Sequence, residues 1–111
     1  MNKAPVGLLQ GTLDLLILRT LTLEPQHGWG IARRIRQLTR DTFDVKPGSM
    51  FPALKRLEEK GLIASSWAAS ENGRKSKFYR LTAAGRKRVD EEVANWRRVA
   101  TAIGWAIEGT S

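Results

Sequence analysis

KPGSMFPALKRLEEKG, residues 46–61, is the stretch whose reading decides the fold. Met50, Ala53, Leu54 and Leu57 recur at i, i+3, i+4 and i+7, the spacing that lines apolar side chains along one stripe of an α-helix. That stripe asks to be buried. Ser49, Pro52, Lys55, Arg56 and Glu59 fall on other faces, so the outward surface is short and polar at its N-terminal end and cationic one turn later. Ser49 reads as the N-cap, Pro52 as a proline tolerated in the first turn, and Gly61 as the left-handed stop after Lys60. The spacing therefore predicts a helix of about 11 or 12 residues with one free face. Its N-terminus, with unpaired N–H groups and the positive end of the dipole, favours phosphate.

Working outward toward the N-terminus, Gly28 to Thr39 reads as a second helix, with Ile31, Ile35 and Leu38 on its buried stripe and Arg33, Arg34, Arg36 and Arg40 elsewhere. The connection between the two helices is short, and Phe43 and Val45 alternate in it as in a very short strand. Two short helices in this relation make a helix-turn-helix pattern. Gln26 to Gly30 reads as a turn, and Pro25 ends the element before it. That element, about Gln10 to Leu23 with Thr12 as its candidate cap, carries Leu13, Leu15, Leu16, Ile17, Leu18, Leu21 and Leu23 over most of its circumference. A helix apolar nearly all round needs cover on more than one side, and in so small a chain a second subunit could supply it through Leu13 and Ile17. Residues 1–6 read as a loose lead-in. Asp14 and Arg19 interrupt the apolar run, and no small-residue cleavage site follows, so neither a signal peptide nor a membrane span is expected.

Toward the C-terminus the periodicity changes from 3.6 to 2. Leu62 to Ala69 reads as a strand and Lys77 to Leu81 as its partner, joined through Asn72-Gly73, a tight-hairpin signal because both residue types tolerate positive φ. From Arg74 to Arg88 there are seven cations, Arg74, Lys75, Lys77, Arg80, Arg86, Lys87 and Arg88, with no acidic residue among them. A solvated charged loop is the plain interpretation; a wing laid along phosphates is the functional one. Thr82 then caps a last helix, about Ala83 to Ile107, in which Val89, Val93, Trp96, Ala100, Ile103 and Ile107 are spaced 4, 3, 4, 3, 4. Such a seam pairs with its equivalent in a second subunit or lies on the first helix of its own chain, and both can hold together.

Composition sets the outer limits. The 111 residues suit one unit, organised as a DNA-binding part over 1–81 and a dimerisation helix over 82–111, modest in core and helped by dimerisation. The formal net charge of +8 points to a polyanionic partner. Cysteine is absent, which excludes disulfides, thiolate metal sites and cysteine nucleophiles and is compatible with a reducing cytoplasm. With one histidine and no glycine-rich phosphate loop between strand and helix, the inventory for catalysis is poor, and neither a metal cluster nor a cofactor motif is visible. Glu58 and Glu59 are adjacent, so they diverge by about 100° on their helix, unlike a carboxylate dyad. An enzyme is not expected. The remaining rival is a nonspecific architectural nucleic-acid binder using the same basic surface.

LLQGTLDLLILRTL, HGWGIARRI, GSMFPALKRLEEKGLIAS and KFYRLTAAGRKRV, in that order, resemble the PadR family of bacterial transcriptional regulators over roughly residues 8–105. The single helix after the ribbon is similar to that of the smaller subfamily, in which one C-terminal helix makes the dimer. The resemblance implies a mostly α fold with a small β-hairpin: a winged helix-turn-helix plus a long C-terminal dimerisation helix. It implies a cytoplasmic homodimeric repressor on double-stranded DNA with a palindromic operator. Ser49, Lys55 and Arg56 are then candidates for base edges, and Arg33, Arg34, Arg36, Lys46, Arg74, Lys75 and Lys77 for phosphates. The family usually has tyrosine at Phe51 and at Trp29. At Phe51 the change removes a hydroxyl and leaves a ring for sugar or a thymine methyl; at Trp29 it is expected to concern packing. The dimer face is expected from Leu13, Ile17, Val89, Val93, Trp96, Ala100, Ile103 and Ile107. Trp96 either fills that face or serves as a platform for a small planar aromatic effector, as in some multidrug-responsive members.

Overall fold

In chain order the elements are α1 (Gln10–Leu21), β1 (Gln26–His27), α2 (Gly28–Leu38), α3 (Pro47–Glu59), β2 (Ile63–Ala69), β3 (Lys75–Leu81) and α4 (Ala83–Glu108). The computed structural model describes residues 10–69 and 71–109; the lead-in read at residues 1–6 lies outside them. The three strands form one antiparallel sheet in the order β1-β3-β2, with Gln26 opposite Tyr79 and Ser65 opposite Tyr79 on the other side. α1, α2 and α3 close over one core, in which Ile17, Leu18, Leu21, Ile31, Ile35, Met50, Leu54, Leu57 and Ile63 are the largest fully buried side chains.

The helix that decides the fold forms as its apolar stripe requires: Met50, Ala53, Leu54 and Leu57 are its buried residues. Its start differs from the sequence expectation. Lys46 occupies the N-cap position without a side-chain cap, and Pro47 takes the first helical position, where its fixed φ suits the helix and its missing N–H is not needed. Ser49 is therefore inside the first turn, and Pro52 lies in the second, where the Gly48 carbonyl loses its usual donor; Gly48 is exposed, so water can serve. The end is as expected. Gly61 adopts φ +76°, the Gly61 N–H donates to the Glu58 carbonyl at 2.9 Å, and the Leu62 N–H reaches back to the Leu57 carbonyl at 3.1 Å. This is the Schellman closure, and it turns the chain directly into β2.

α2 has the expected extent, with Thr39 as its C-cap and Ile31 and Ile35 buried, but Leu38, expected on the same stripe, is 51% exposed in the last turn. Four other expectations are corrected. Phe43 and Val45 belong to no strand; Phe43 packs against the core and Val45 is buried in it. The third strand is instead Gln26–His27, read from sequence as a turn, which covers the outer edge of β3. Asn72-Gly73 does not make a two-residue hairpin: Ala69 pairs with Lys75, so the loop spans 70–74, and among its described residues only Gly73 has positive φ, at +83°. Thr12 lies inside α1 rather than capping it.

α4 is anchored at its N-terminus. The Gly85 N–H donates to the Thr82 hydroxyl at 3.0 Å, and that hydroxyl donates to the Gly61 carbonyl at 2.7 Å. Gly85 is needed there, because a Cβ would lie 2.0 Å from the Leu62 carbonyl oxygen. Val89 is buried and Val93 is partly buried against the core. Beyond them α4 keeps only α1 at its side, and its last turns, with Ile103, Trp105 and Ile107 exposed, leave the body. The radius of gyration, 15.6 Å, exceeds the ~13 Å of a rounded domain of this length.

Leu13, Ile17 and Val89, expected on an intersubunit face, are covered by their own chain. α1 is thus satisfied by α2, α3 and α4 rather than by a partner on all sides. Five positions of that expected face, Val93, Trp96, Ala100, Ile103 and Ile107, keep exposed or half-exposed surface.

Candidate nucleic-acid interface

α3 presents three distinct edges to its surroundings. On the helical wheel Arg56 and Glu58 flank the buried stripe on opposite sides, while Pro52, Lys55 and Glu59 form the outermost ridge, and all three are exposed.

Arg56 does not project outward as its sequence position suggested. Its Nη2 donates to Asp14 Oδ1 on α1 at 2.6 Å, and its side chain is only 28% exposed. A charge-assisted bond of this kind, shielded from water, holds α3 against α1. In the free chain Arg56 is a structural tie between α3 and α1, turned away from the outer ridge.

On the other flank the Ser65 hydroxyl donates to Glu58 Oε2 at 2.6 Å, and Lys77 Nζ lies 3.7 Å from Glu58 Oε1. Glu58 thereby holds the β2–β3 ribbon against α3. Lys77 also sits 5.7 Å from the centre of the Tyr79 ring. Burial pushes the Tyr79 phenol up from its ordinary pKa, against the opposing pull of Lys77, so the ring stays neutral. Ser65, Trp67, Lys75 and Lys77 lie on one face of the ribbon, because they pair across it and alternate along each strand. Trp67 is exposed on that face.

The remaining expected cations divide into two groups. Lys46 is paired with Asp44 at 2.7 Å, Arg36 with Asp41 at 3.2 Å and Arg34 with Glu24 at 3.9 Å, all near or at the surface. The Lys46 hydrogen bond is the main cause that holds the Asp44 carboxyl below its ordinary pKa. Such exposed pairs are weak and can exchange a carboxylate for a phosphate at little cost. Arg33, Lys55 and Lys75 have no ion-pair partner among the described residues. Arg33, Arg74 and Lys75 line one groove of about 420 Å³ between the start of α2 and the tip of the ribbon. Ser49 is exposed in the first turn of α3.

Two residues of this surface were given no contact role by the sequence reading. Glu59 stands beside Lys55 on the outer ridge, and Trp29, though it packs against Phe51, is 65% exposed. The helical wheel carried the signal for Glu59; nothing local distinguished an exposed Trp29 from a buried one.

A second surface lies on the far part of α4. Trp96 is 54% exposed, and with Val99 it faces Gly11, Thr12 and Leu15 of α1 across a groove of about 250 Å³. Ile103 and Ile107 continue the stripe at 53% and 78% exposure. Trp105, nine residues after Trp96, falls about half a turn away and is not on that stripe. No helix of the described residues is long and apolar enough to cross a membrane.

Known proteins share this arrangement. The family model described as the transcriptional regulator PadR-like family matches residues 17–91. An uncharacterised protein of Lysinibacillus sphaericus is 30% identical over 102 residues, 92% of this chain and 94% of that protein. Among solved structures, a PadR family transcription regulator from Clostridium difficile is 33% identical with a TM-score of 0.75, covering 86% of this chain and 97% of that one. A PadR-like transcriptional regulator from Bacillus cereus is 27% identical with a TM-score of 0.78, covering 91% of this chain and 96% of that one.

Proposed function

Because this chain belongs to the PadR-like family of transcriptional regulators, we propose that it is a cytoplasmic homodimeric repressor that binds a palindromic operator in double-stranded DNA and is released by a small planar aromatic effector. The observation that carries the reading is the placement of α3. Its apolar stripe is buried, ties at Arg56 and Glu58 fix its two flanks, and its outer ridge stands free beside a ribbon rich in cations. A helix held on three sides and open on the fourth has the form needed to enter a major groove.

In this reading Lys55 meets guanine and Glu59 accepts from a cytosine amino group, while Ser49 contacts either. Arg33 and Lys75 neutralise phosphates and Arg74 joins them at the ribbon tip, with Arg34, Arg36, Lys46 and Lys77 joining when DNA displaces their carboxylates. Phe51 supplies apolar contact. The unit comprises the DNA-binding part over 1–81 and the dimerisation helix over 82–111. Trp96, Ala100, Ile103 and Ile107 form the core of the dimer, with Val93 at its edge, and the two-fold axis sets two copies of α3 about 34 Å apart, one turn of DNA. The apolar groove at Trp96 supports the effector: it lies where α1 and α4 meet, so a ring inserted there would favour one relation of the two helices over another.

The test is selection from a pool of bacterial genomic DNA fragments at ~150 mM salt, followed by sequencing of what is retained. Enrichment of a few fragments sharing an inverted repeat, at two chains per site and with an affinity ~10³ or more above random sequence, is the expected result. Uniform retention of all fragments would replace the repressor with a nonspecific architectural binder.

A further inference from the structure

Trp29 is an exposed aromatic beside α3 that the proposed assignment of contacts leaves unused. It lies in the first turn of α2, 65% exposed, on the same surface as α3 and the ribbon tip. Its ring meets Phe51 of α3 edge-to-face, with centroids 6.5 Å apart and planes at 75°. That geometry is the favourable one for two aromatic rings. Phe51 is itself 42% exposed, and its ring lies over Gly28: a Cβ there would be 2.7 Å from Phe51 Cε1. The two rings therefore form a step bridging the first and second helices of the helix-turn-helix, seated on a glycine that leaves room for it.

The surroundings of the step select its occupant. Arg33 follows Trp29 by one turn, and both line the groove whose far wall carries Arg74 and Lys75 with Glu71 beside them, so that its lining keeps a surplus of positive charge. An apolar ledge bordered by cations is complementary to a chain that alternates apolar sugar with anionic phosphate. The indole brings one further property: its Nε1–H is a donor without a charge and without acceptor capacity.

We propose that Trp29 is a DNA-backbone contact, its ring face covering a deoxyribose and its Nε1–H donating to the neighbouring phosphate, with Phe51 holding the ring in place. This rests on the DNA-binding reading above and adds to it a contact of a different physical kind. A cation that neutralises a phosphate releases counterions, so it contributes to the salt dependence of binding; a neutral ring releases none. Trp29 therefore contributes affinity that salt does not screen, and because it reads no base edge it contributes the same on every sequence.

The experiment titrates a labelled random-sequence 30-base-pair duplex with the full chain and its Trp29→Ala, Trp29→Phe and Lys75→Ala variants, at several NaCl concentrations between ~25 and ~150 mM, with circular dichroism confirming that each is folded. Trp29→Ala is expected to weaken binding about tenfold at every salt concentration, with the slope of log K against log [salt] unchanged. Trp29→Phe should recover part of the loss, since it keeps the apolar ring and removes only the donor. Lys75→Ala should instead flatten the slope by ~0.9. Wild-type affinity in Trp29→Ala, while Lys75→Ala is weakened, overturns the contact and leaves the DNA-binding reading standing. A flattened slope in Trp29→Ala also overturns it, because the ring would then act only by arranging cations. Absence of duplex binding by the wild-type chain overturns both readings.

Discussion

The body of the molecule and the far half of α4 obey the same sequence rule with opposite results. In α3 the positions Met50, Ala53, Leu54 and Leu57 recur at helical spacing, and every one is buried by its own chain. In α4 the positions Val89, Val93, Trp96, Ala100, Ile103 and Ile107 recur as regularly, yet only the first is fully buried. Apolar periodicity predicts that a face will be covered; it does not say which chain covers it. α3 finds α1, α2 and β2 around it, whereas α4 beyond Val93 has only α1 beside it, across the groove at Trp96 and Val99, and its last turns have no intrachain cover among the described residues. What distinguishes the two regions is the supply of partners, and a stripe of this length left in water is the mark of an interface.

The sharpest way to break this comparison is Leu54→Ala. It removes a fully buried side chain from the centre of the body and should lower the unfolding free energy by about 2–5 kcal/mol, independently of protein concentration, in denaturant titrations. A smaller loss, or one that grows on dilution, would mean that the body too depends on a partner. Gly85→Ala probes the junction between the regions. Its Cβ would meet the Leu62 carbonyl oxygen, a backbone atom that cannot swing aside, so α4 must shift on the sheet at a cost of ~3 kcal/mol in thermal or chemical unfolding.

Arg56→Ala sharpens the account of the body itself. It strands Asp14 partly buried and should cost about 1–2 kcal/mol, a loss that the double variant with Asp14→Ala should largely restore. An unchanged midpoint would return Arg56 to the DNA-facing residues. The smallest effect on stability is expected from Lys75→Ala, within ~0.5 kcal/mol, because its side chain is exposed at the ribbon tip and tied to nothing acidic among the described residues. A larger loss would make the ribbon tip part of the fold rather than a free surface.

The contrast also explains how much could be read from the chain. The α3 stripe, the Gly61 stop and the Thr82 cap are written in residues within a few positions of one another, and each appears where the sequence placed it. β1 could not be read, because two residues are too short for a period and become a strand only when β3 offers an edge. The start of α3 was misplaced because two valid signals compete in KPGS, and the proline at the first helical position prevails over the serine cap. At the candidate interface the ridge of α3 was legible, but Arg56 was not: Asp14 stands 42 residues away, and a helical wheel gives a residue's direction without saying what it meets there. The exposure of Trp29 was hidden for the same reason, although its packing, against Phe51, was expected. Leu13 and Ile17 were assigned to a partner because the sequence does not reveal how many sides of α1 its own chain will cover.

Sedimentation equilibrium of the wild-type chain and of Ile103→Asp at micromolar concentration tests the central claim most directly. The wild type should weigh twice the 12.4 kDa of one chain, and the variant should weigh 12.4 kDa while keeping its helical circular dichroism, because Ile103 is exposed in the single chain and a carboxylate there harms only a buried contact between copies. A wild-type chain that sediments as a monomer, or a variant that remains a dimer, would contradict the assignment of the far half of α4 to a second copy of the chain.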